Sequence, residues 1–195
     1  MAVHSRPRLS PEDYLALERA AETKSDYLDG EMIAMTGASL RHSSIVNDLA
    51  VALATRLRGG SCEVHTSDLR LLVSVTGLYT YPDIVVVCGE PILTDKHFDT
   101  LTNPTALIEV LSPSTAAYDR GTKLEHYRRL ESLCECLFIS QDRPKVEQYI
   151  RQEDRKKWML TEVTELTASI SMPSIGCQVP MSDIYRRVRF ENPAS

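Results

Sequence analysis

The sequence lacks the cysteine spacing of a metal site. Five cysteines occur in 195 residues, and none belongs to a Cys-X-X-Cys pair. A structural zinc ion needs four converging ligands, which usually come in closely spaced pairs. We therefore expect buried thiols in a reducing cytoplasm, the usual state of unpaired cysteine. The five are Cys62, Cys88, Cys134, Cys136 and Cys177.

Long hydrophobic runs are also missing. No apolar stretch approaches the ~20 residues that a membrane-spanning helix needs. Residues 1–14 include Arg6, Arg8, Glu12 and Asp13 where a secretory signal would be apolar. The sequence therefore predicts a soluble cytoplasmic protein that makes no contact with a membrane.

Positive charge is in deficit, with 22 Lys and Arg against 27 Asp and Glu, a net charge of −5. This balance argues against broad electrostatic adhesion to nucleic acid. It is compatible with a local basic groove, because acids gathered at a metal site lower the net charge without lining the groove. A hydrophobic content of 43% and a charged content of 25% are ordinary for a globular protein.

The pattern of apolar residues predicts an α/β protein. Ser10 and Pro11 begin a helix that runs to about residue 21, and Asp29-Gly30 is a hairpin turn. Ile45, Leu49, Leu53 and Leu57 recur at helical spacing within residues 42–58, and Gly59-Gly60 ends that helix. We predict strands at 62–75, 84–88, 106–111, 134–140, 145–151 and 157–164, a helix at 118–131, and more β structure around 175–179. The central order is α-β-β-β-α-β in a single domain over 1–195, its core spanning about 27–164.

Two acidic residues stand in strands that are otherwise apolar. Asp83 follows Pro82 at the start of the strand that continues through Val87, and Glu109 lies inside the strand at 106–111. Burying a carboxylate is costly unless a cation or hydrogen-bond donors meet it. Either residue alone could be a strand-end acid that reaches solvent or forms one salt bridge.

The two carboxylates as a pair are stronger evidence for a functional site than either one alone. If their strands are neighbours, two charges about 4 Å apart repel by roughly 4 kcal/mol at an effective dielectric near 20. A divalent cation turns that repulsion into attraction. Magnesium typically binds through one or two carboxylates together with a substrate phosphate, so Asp83 and Glu109 are candidate ligands of Mg²⁺, or of Mn²⁺ in its place.

Lys123 is a third unusual residue. At about 100° per residue, Lys123 projects between Tyr127 and Leu130 on the face that a helix would turn toward the sheet. A buried ammonium needs a partner, and Asp83 and Glu109 are the nearest negative charges. The alternative is a lysine whose charged end passes the helix edge into solvent.

These residues resemble the PD-(D/E)XK motif of the restriction-endonuclease-like superfamily. Longer stretches resemble the Uma family of putative restriction endonucleases, and the resemblance covers about residues 11–188. The stretches are Tyr27-Leu28-Asp29-Gly30-Glu31, Tyr81-Pro82-Asp83, residues 107–115 (Leu-Ile-Glu-Val-Leu-Ser-Pro-Ser-Thr), and Asp119-Arg120-Gly121-Thr122-Lys123 with Tyr127. The resemblance implies a restriction-endonuclease-like fold and a metal-dependent endonuclease.

The chain departs from the superfamily pattern at one position. The pattern places a lysine two residues after the glutamate, where this chain has Leu111. In the similar family the lysine lies on the following helix, and Lys123 matches it. The hypothesis is that Asp83, Glu109 and the Val110 backbone carbonyl bind Mg²⁺ while Lys123 orients a water for phosphodiester hydrolysis.

Three further residues are candidate accessory groups with simpler alternatives. Glu31 matches an acidic position of the family, or is a surface acid of its strand. His42 projects inward at the start of its helix, as a core histidine or as a contact to phosphate. Tyr127 shares the face of Lys123, and is either a hydrogen-bond donor near the site or a packed aromatic residue.

Nucleic acid, most simply DNA, is the expected partner. Arg41, Arg120 and Arg128 flank the predicted site in sequence and are candidate phosphate contacts. Two cuts in a duplex would suit a homodimer, which is an expectation by analogy. Two alternatives stay open: a catalytically inactive nuclease fold that binds nucleic acid or a protein, and a metal-dependent hydrolase with a smaller substrate.

Overall fold

The computed structural model describes residues 8–35, 37–94 and 96–190. The predicted absence of a secretory signal concerns residues 1–14, of which 1–7 lie outside the described residues. Within the described part of the chain, no helix is long and apolar enough to cross a membrane.

Short helices and thirteen strands alternate along this part of the chain. The α-helices are α1 (Pro11–Ala20), α2 (Leu40–Arg56), α3 (Ala116–Tyr118), α4 (Leu124–Tyr127) and α5 (Met181–Ile184), with a π-helix at Asp119–Lys123 and a 3-10 helix at Pro173–Ile175. The strands are β1 (Ser25–Leu28), β2 (Glu31–Ala34), β3 (Cys62–Thr66), β4 (Arg70–Val73), β5 (Leu78–Thr80), β6 (Ile84–Cys88), β7 (Thr100–Leu101), β8 (Ala106–Leu111), β9 (Glu135–Ser140), β10 (Val146–Arg151), β11 (Trp158–Val163), β12 (Ser169–Met172) and β13 (Cys177–Pro180).

Local chemistry fixes the starts of the two long helices. The Ser10 hydroxyl accepts a hydrogen bond from Asp13 N at 3.1 Å, and the Ser39 hydroxyl accepts one from His42 N at the same distance. Both serines thereby cap a helix N-terminus whose first N–H groups have no partner in the helix. The Ser39 cap also places His42 on the first turn of α2.

A six-stranded sheet, in the order β11-β10-β9-β8-β6-β3, forms the centre of the molecule. Helix α2 and the β12–β13 hairpin cover one face with an apolar cluster. The other face packs against β4, β5 and the α4 region through a second cluster. Burial on both faces explains why β6 and β8 are almost continuously apolar.

A second sheet, in the order β2-β1-β5-β4-β7, was not predicted as a unit. The predicted strand at 62–75 is two strands, β3 and β4, which a turn at 67–69 sends into different sheets. Strand β5 has three residues, too few to show a period. The Asp29-Gly30 turn was predicted, and both residues have the positive φ that such a turn requires.

The expectation for the cysteines was wrong at two positions. Cys62 on β3 and Cys88 on β6 form a disulfide, and they are directly opposite one another in the antiparallel register. Their separation of 26 residues gave no sign of that pairing, because it arises from sheet topology. Cys134, Cys136 and Cys177 are free thiols, two of them buried as expected.

Candidate active site

The two acidic residues predicted to converge lie on neighbouring strands. Strands β6 and β8 are antiparallel partners with Ile84 opposite Ile108, so Asp83, immediately before β6, lies beside Glu109. Asp83 N donates a hydrogen bond to Glu109 Oε2 at 3.4 Å. In return, Val110 N donates to Asp83 Oδ2 at 2.7 Å. These reciprocal bonds fix the two acids relative to each other.

Lys123 reaches the same point from the helix that follows. Its Nζ donates a hydrogen bond to Glu109 Oε1 at 3.3 Å, and the residue is 5% exposed. Lys123 is the last residue of the π-helix, a rare turn that is frequent at functional sites. The inward orientation predicted from helical projection is therefore confirmed, although the helix is not the continuous α-helix predicted at 118–131.

Glu109 is a buried group of the site, 3% exposed. The Tyr127 hydroxyl donates to Glu109 Oε1 at 2.6 Å, beside the bond from Lys123. Burial raises the pKa of Glu109, and the Asp83 and Asp119 carboxylates raise it further, against the opposing effect of Lys123. The like charges at this site thus disfavour an ionised Glu109 unless a further positive charge is near.

Two more carboxylates surround Lys123, and sequence reasoning missed both. Asp119 Oδ1 lies 3.3 Å and Asp26 Oδ2 lies 3.8 Å from Lys123 Nζ. Burial acts to lower the pKa of Lys123, but Glu109, Asp26 and Asp119 outweigh it and raise that pKa above its usual 10.5. Lys123 therefore stays protonated near neutral pH and provides a fixed positive charge in the site.

His42 contacts the other acid of the pair. Its Nε2 lies 3.2 Å from Asp83 Oδ2. Burial acts to lower the pKa of His42, but the hydrogen bond and charge of Asp83 prevail and raise it. The inward projection predicted for His42 is confirmed, and its partner is a carboxylate of the site.

These groups open into one cleft with a volume of about 750 Å³. Much of its wall carries hydroxyl or amide side chains. Among the described residues, the lysines and arginines that line the cleft are Lys24 and Lys123. Lys24 forms an ion pair with Asp68. The lining includes Lys24, Asp26, Ser39, His42, Asp83, Glu109, Val110, Ser112, Ser114, Tyr118, Asp119, Lys123 and Gln141.

The remaining predicted residues lie outside the described cleft lining. Glu31 is exposed at the start of β2, and Arg41 is exposed on α2. Arg120 donates to both carboxylate oxygens of Glu147, at 2.8 and 3.0 Å. The Arg128 guanidinium lies over the ring of Tyr149, 5.5 Å from its centroid. Whether any of these arginines contacts nucleic acid stays a prediction.

The fold is that of a nuclease-like α/β protein. A crystal structure of a putative nuclease belonging to DUF820, from Anabaena variabilis, superposes with a TM-score of 0.73. The match covers 90% of this chain and 96% of that one, at 20% sequence identity. At that identity, the likeness shows a shared fold.

The sequence places the chain in a family. The model of the Uma2 family, described as putative restriction endonuclease, matches residues 11–182, so the chain belongs to this family. Two proteins of Synechocystis sp., slr1290 and sll1609, both described as uncharacterized, are similar over nearly their full lengths. The first is 35% identical over 184 residues, 94% of this chain and 95% of its own. The second is 36% identical over 170 residues, which are 87% of this chain and 96% of the relative's own length.

Proposed function

We propose that the protein is a metal-dependent endonuclease that hydrolyses phosphodiester bonds of DNA. The observation that carries this proposal is the convergence of Asp83, Glu109 and Lys123 in one cleft, with Lys123 bonded to Glu109 at 3.3 Å. Membership of a family described as putative restriction endonuclease supports nucleic acid as the substrate. The resemblance in sequence that led to these three residues supports the same assignment.

The charges of the cleft fit a divalent cation. Four carboxylates line it, on Asp26, Asp83, Glu109 and Asp119, and Lys123 compensates only part of their charge. Burial and, after it, the Asp83 charge raise the pKa of Glu109, and a cation between the two carboxylates would relieve their repulsion. Hard oxygen donors of this kind suit Mg²⁺ or Mn²⁺.

The ligands would be the carboxylates of Asp83 and Glu109 with the Val110 backbone carbonyl. Among the described residues, no group of three or more His, Cys, Asp and Glu side chains is arranged to hold a metal ion. A site with two carboxylates is nevertheless usual for Mg²⁺, which keeps several waters and takes substrate oxygens as ligands.

The protein's own groups would act on the substrate as follows. Lys123 holds a fixed positive charge next to Glu109, orients the attacking water and offsets the negative charge that develops on the phosphate. Val110 N and His42 both contact Asp83 Oδ2 and so fix the orientation of that carboxylate. A bound Mg²⁺ supplies Lewis-acid polarisation of the phosphate and makes water more acidic. Hydrolysis leaves one strand end with a phosphate and the other with a hydroxyl.

Cleavage assays test this assignment. Single-stranded DNA, duplex DNA and RNA are incubated with Mg²⁺, with Mn²⁺ or with chelator, using the wild type, Asp83→Asn and Lys123→Ala. Asp83→Asn retains an oxygen that accepts from Val110 N but loses the charge that a cation needs. We expect metal-dependent cleavage of DNA by the wild type, with losses of at least about 100-fold in both variants.

Arg58→Gln is a matched control, since Arg58 is exposed in the turn after α2 and is absent from the cleft lining. It should cleave at a rate close to that of the wild type. Cleavage that persists in Asp83→Asn would contradict the assignment of the site. Binding of DNA without cleavage would favour the inactive binding module. A homodimer, with one site for each strand of a duplex, is part of the proposal.

A further inference from the structure

Asp26 is a buried carboxylate whose surroundings point to a role in the site. It lies within β1, its side chain is 4% exposed, and it lines the same cleft as Asp83 and Glu109. An ionised carboxylate this deep destabilises the fold unless a positive charge meets it. Lys123 is the cation that the structure places beside it, 3.8 Å away.

The hairpin fixes the direction in which Asp26 points. Tyr27, the next residue, stacks on Tyr14 of α1 with ring centroids 4.8 Å apart, and neither tyrosine lines the cleft. Successive residues of a strand point to opposite faces, so the tyrosine contact directs Asp26 toward Lys123. Asp26 is opposite Ile33 in a register set by the Asp29-Gly30 turn, and a slip of one residue would turn Asp26 away.

Three carboxylates thus hold Lys123 from three different elements. Glu109 comes from the six-stranded sheet, Asp119 from the start of the π-helix and Asp26 from the second sheet. The ammonium has three N–H donors, and Glu109 and Asp119, each 3.3 Å from the nitrogen, engage two of them. Asp26, at 3.8 Å, is beyond hydrogen-bonding distance, so it attracts the ammonium without using a donor.

We propose that Asp26 is a positioning residue of the active site, which together with Asp119 holds the Lys123 ammonium against Glu109 with one N–H donor left for substrate. This inference rests on the proposed function for its effect on catalysis. Its geometric part, the fixed ammonium, can be measured without any cleavage assay.

Two variants at Asp26 and one matched control test the proposal. Asp26→Asn keeps the shape and removes the charge, whereas Asp26→Glu keeps the charge. Glu18→Gln is the control, because Glu18 is also buried, accepts from Ser25 N of the same strand at 2.9 Å, and is absent from the cleft lining. Asp26→Asn neutralises a buried acid within β1, and Glu18→Gln neutralises a buried acid of α1 that contacts β1. A purely structural effect would therefore appear in both variants.

The expected result is a kcat about 10–100-fold lower in Asp26→Asn with KM within about twofold of the wild type. Asp26→Glu should recover part of that loss, and Glu18→Gln should keep the wild-type kcat. If Asp26→Asn fails to fold, Asp119→Asn tests the same arrangement from the π-helix and should show the same loss confined to kcat. Equal kcat in the wild type and Asp26→Asn would overturn the proposal.

NMR of lysine side-chain ammonium groups provides the readout that needs no activity. The wild type should show a slowly exchanging Lys123 signal, assigned by its absence in Lys123→Met. That signal should broaden or shift in Asp26→Asn and persist in Glu18→Gln. If the wild type cleaves no substrate, the nuclease assignment fails. The NMR signal still tests whether Asp26 holds the Lys123 ammonium in place. A Lys123 signal unchanged in Asp26→Asn would overturn the inference.

Discussion

Glu109 depends on two side chains from one short stretch of helix. Tyr127 donates to its Oε1 at 2.6 Å and Lys123 donates to the same atom at 3.3 Å. All three groups are buried, and removing one partner of a buried hydrogen bond leaves the other polar group unsatisfied, which costs more than at the surface. The alternative that Tyr127 is only a packed aromatic residue is therefore wrong, because its hydroxyl has a specific partner.

Tyr127→Phe isolates the contribution of that hydroxyl. The phenyl ring still fills the core, but Glu109 loses its shortest hydrogen bond. We expect the free energy of unfolding to fall by about 1–3 kcal/mol, measured by urea denaturation. Tyr149→Phe, on the partly exposed Tyr149, provides a control that should change little. A Tyr127→Phe chain as stable as the wild type would show that the bond contributes nothing.

Sequence patterns identified Asp83, Glu109 and Lys123 because each interrupts an apolar context. They missed Asp26, which sits between Ser25 and Tyr27 in a strand of mixed polarity. Its burial depends on the pairing of β1 with β5, where Tyr27 is opposite Tyr79, a contact distant in sequence. Asp119 was missed for a different reason, since an acid near the start of a helix is common on the surface.

Among the secondary-structure elements, the π-helix departs most from what local pattern predicts. Residues 118–131 were predicted as one α-helix, but the chain forms α3, five residues of π-helix and α4, and the helical structure ends at Tyr127. Leu124 N donates to Asp119 O, the wider hydrogen bond of a π turn. Helical propensity does not encode such a turn. The arrangement that favours it is tertiary, because Asp119 and Lys123 both become buried against the site.

An ion-pair cluster attaches α1 to the second sheet, and its strength should depend on pH. Asp99 accepts two hydrogen bonds from Arg19 on α1, at 2.7 and 2.9 Å, and one from Arg70 on β4 at 3.3 Å. The bonds from Arg19 are the main cause that lowers the pKa of Asp99 below its usual 3.8. The stabilisation is therefore fully present above that pH and is lost as the pH falls through the lowered pKa.

Asp99→Asn should accordingly destabilise the protein only where Asp99 is ionised. We expect a lower Tm than the wild type at about pH 7, with a difference that shrinks steadily below about pH 3.8 as the wild type loses the ion pair. Thermal unfolding followed by circular dichroism across this range measures the difference. If Asp99→Asn lowered the Tm equally at neutral and at acidic pH, the stabilisation could not come from the charge of Asp99.

At the scale of the whole molecule, the candidate site lies where the two sheets and two helices meet. β6 and β8 bring the paired acids, β1 brings Asp26, the π-helix brings Lys123 and the N-terminus of α2 brings His42. The order α-β-β-β-α-β was enough to predict the convergence of the first pair with Lys123. The contribution of the second sheet could not be predicted, because short strands such as β5 and β7 form only through long-range pairing.

The net charge of −5 agrees with this arrangement, since four acids gather at one cleft. An acidic chain that acts on a polyanion needs a cation at the point of contact. A divalent metal ion would supply this positive charge, whereas Lys123 alone does not balance the four acids of the cleft. The metal, more than any basic surface, is thus the central requirement of the proposed function.

Anomalous X-ray scattering from crystals soaked in Mn²⁺ tests this requirement most directly. The account predicts an anomalous peak at about 2.0–2.6 Å from carboxylate oxygens of both Asp83 and Glu109, and no such peak in Asp83→Asn crystals. A cleft without manganese, with Asp83 and Glu109 bonded only to protein groups at saturating metal, would contradict it.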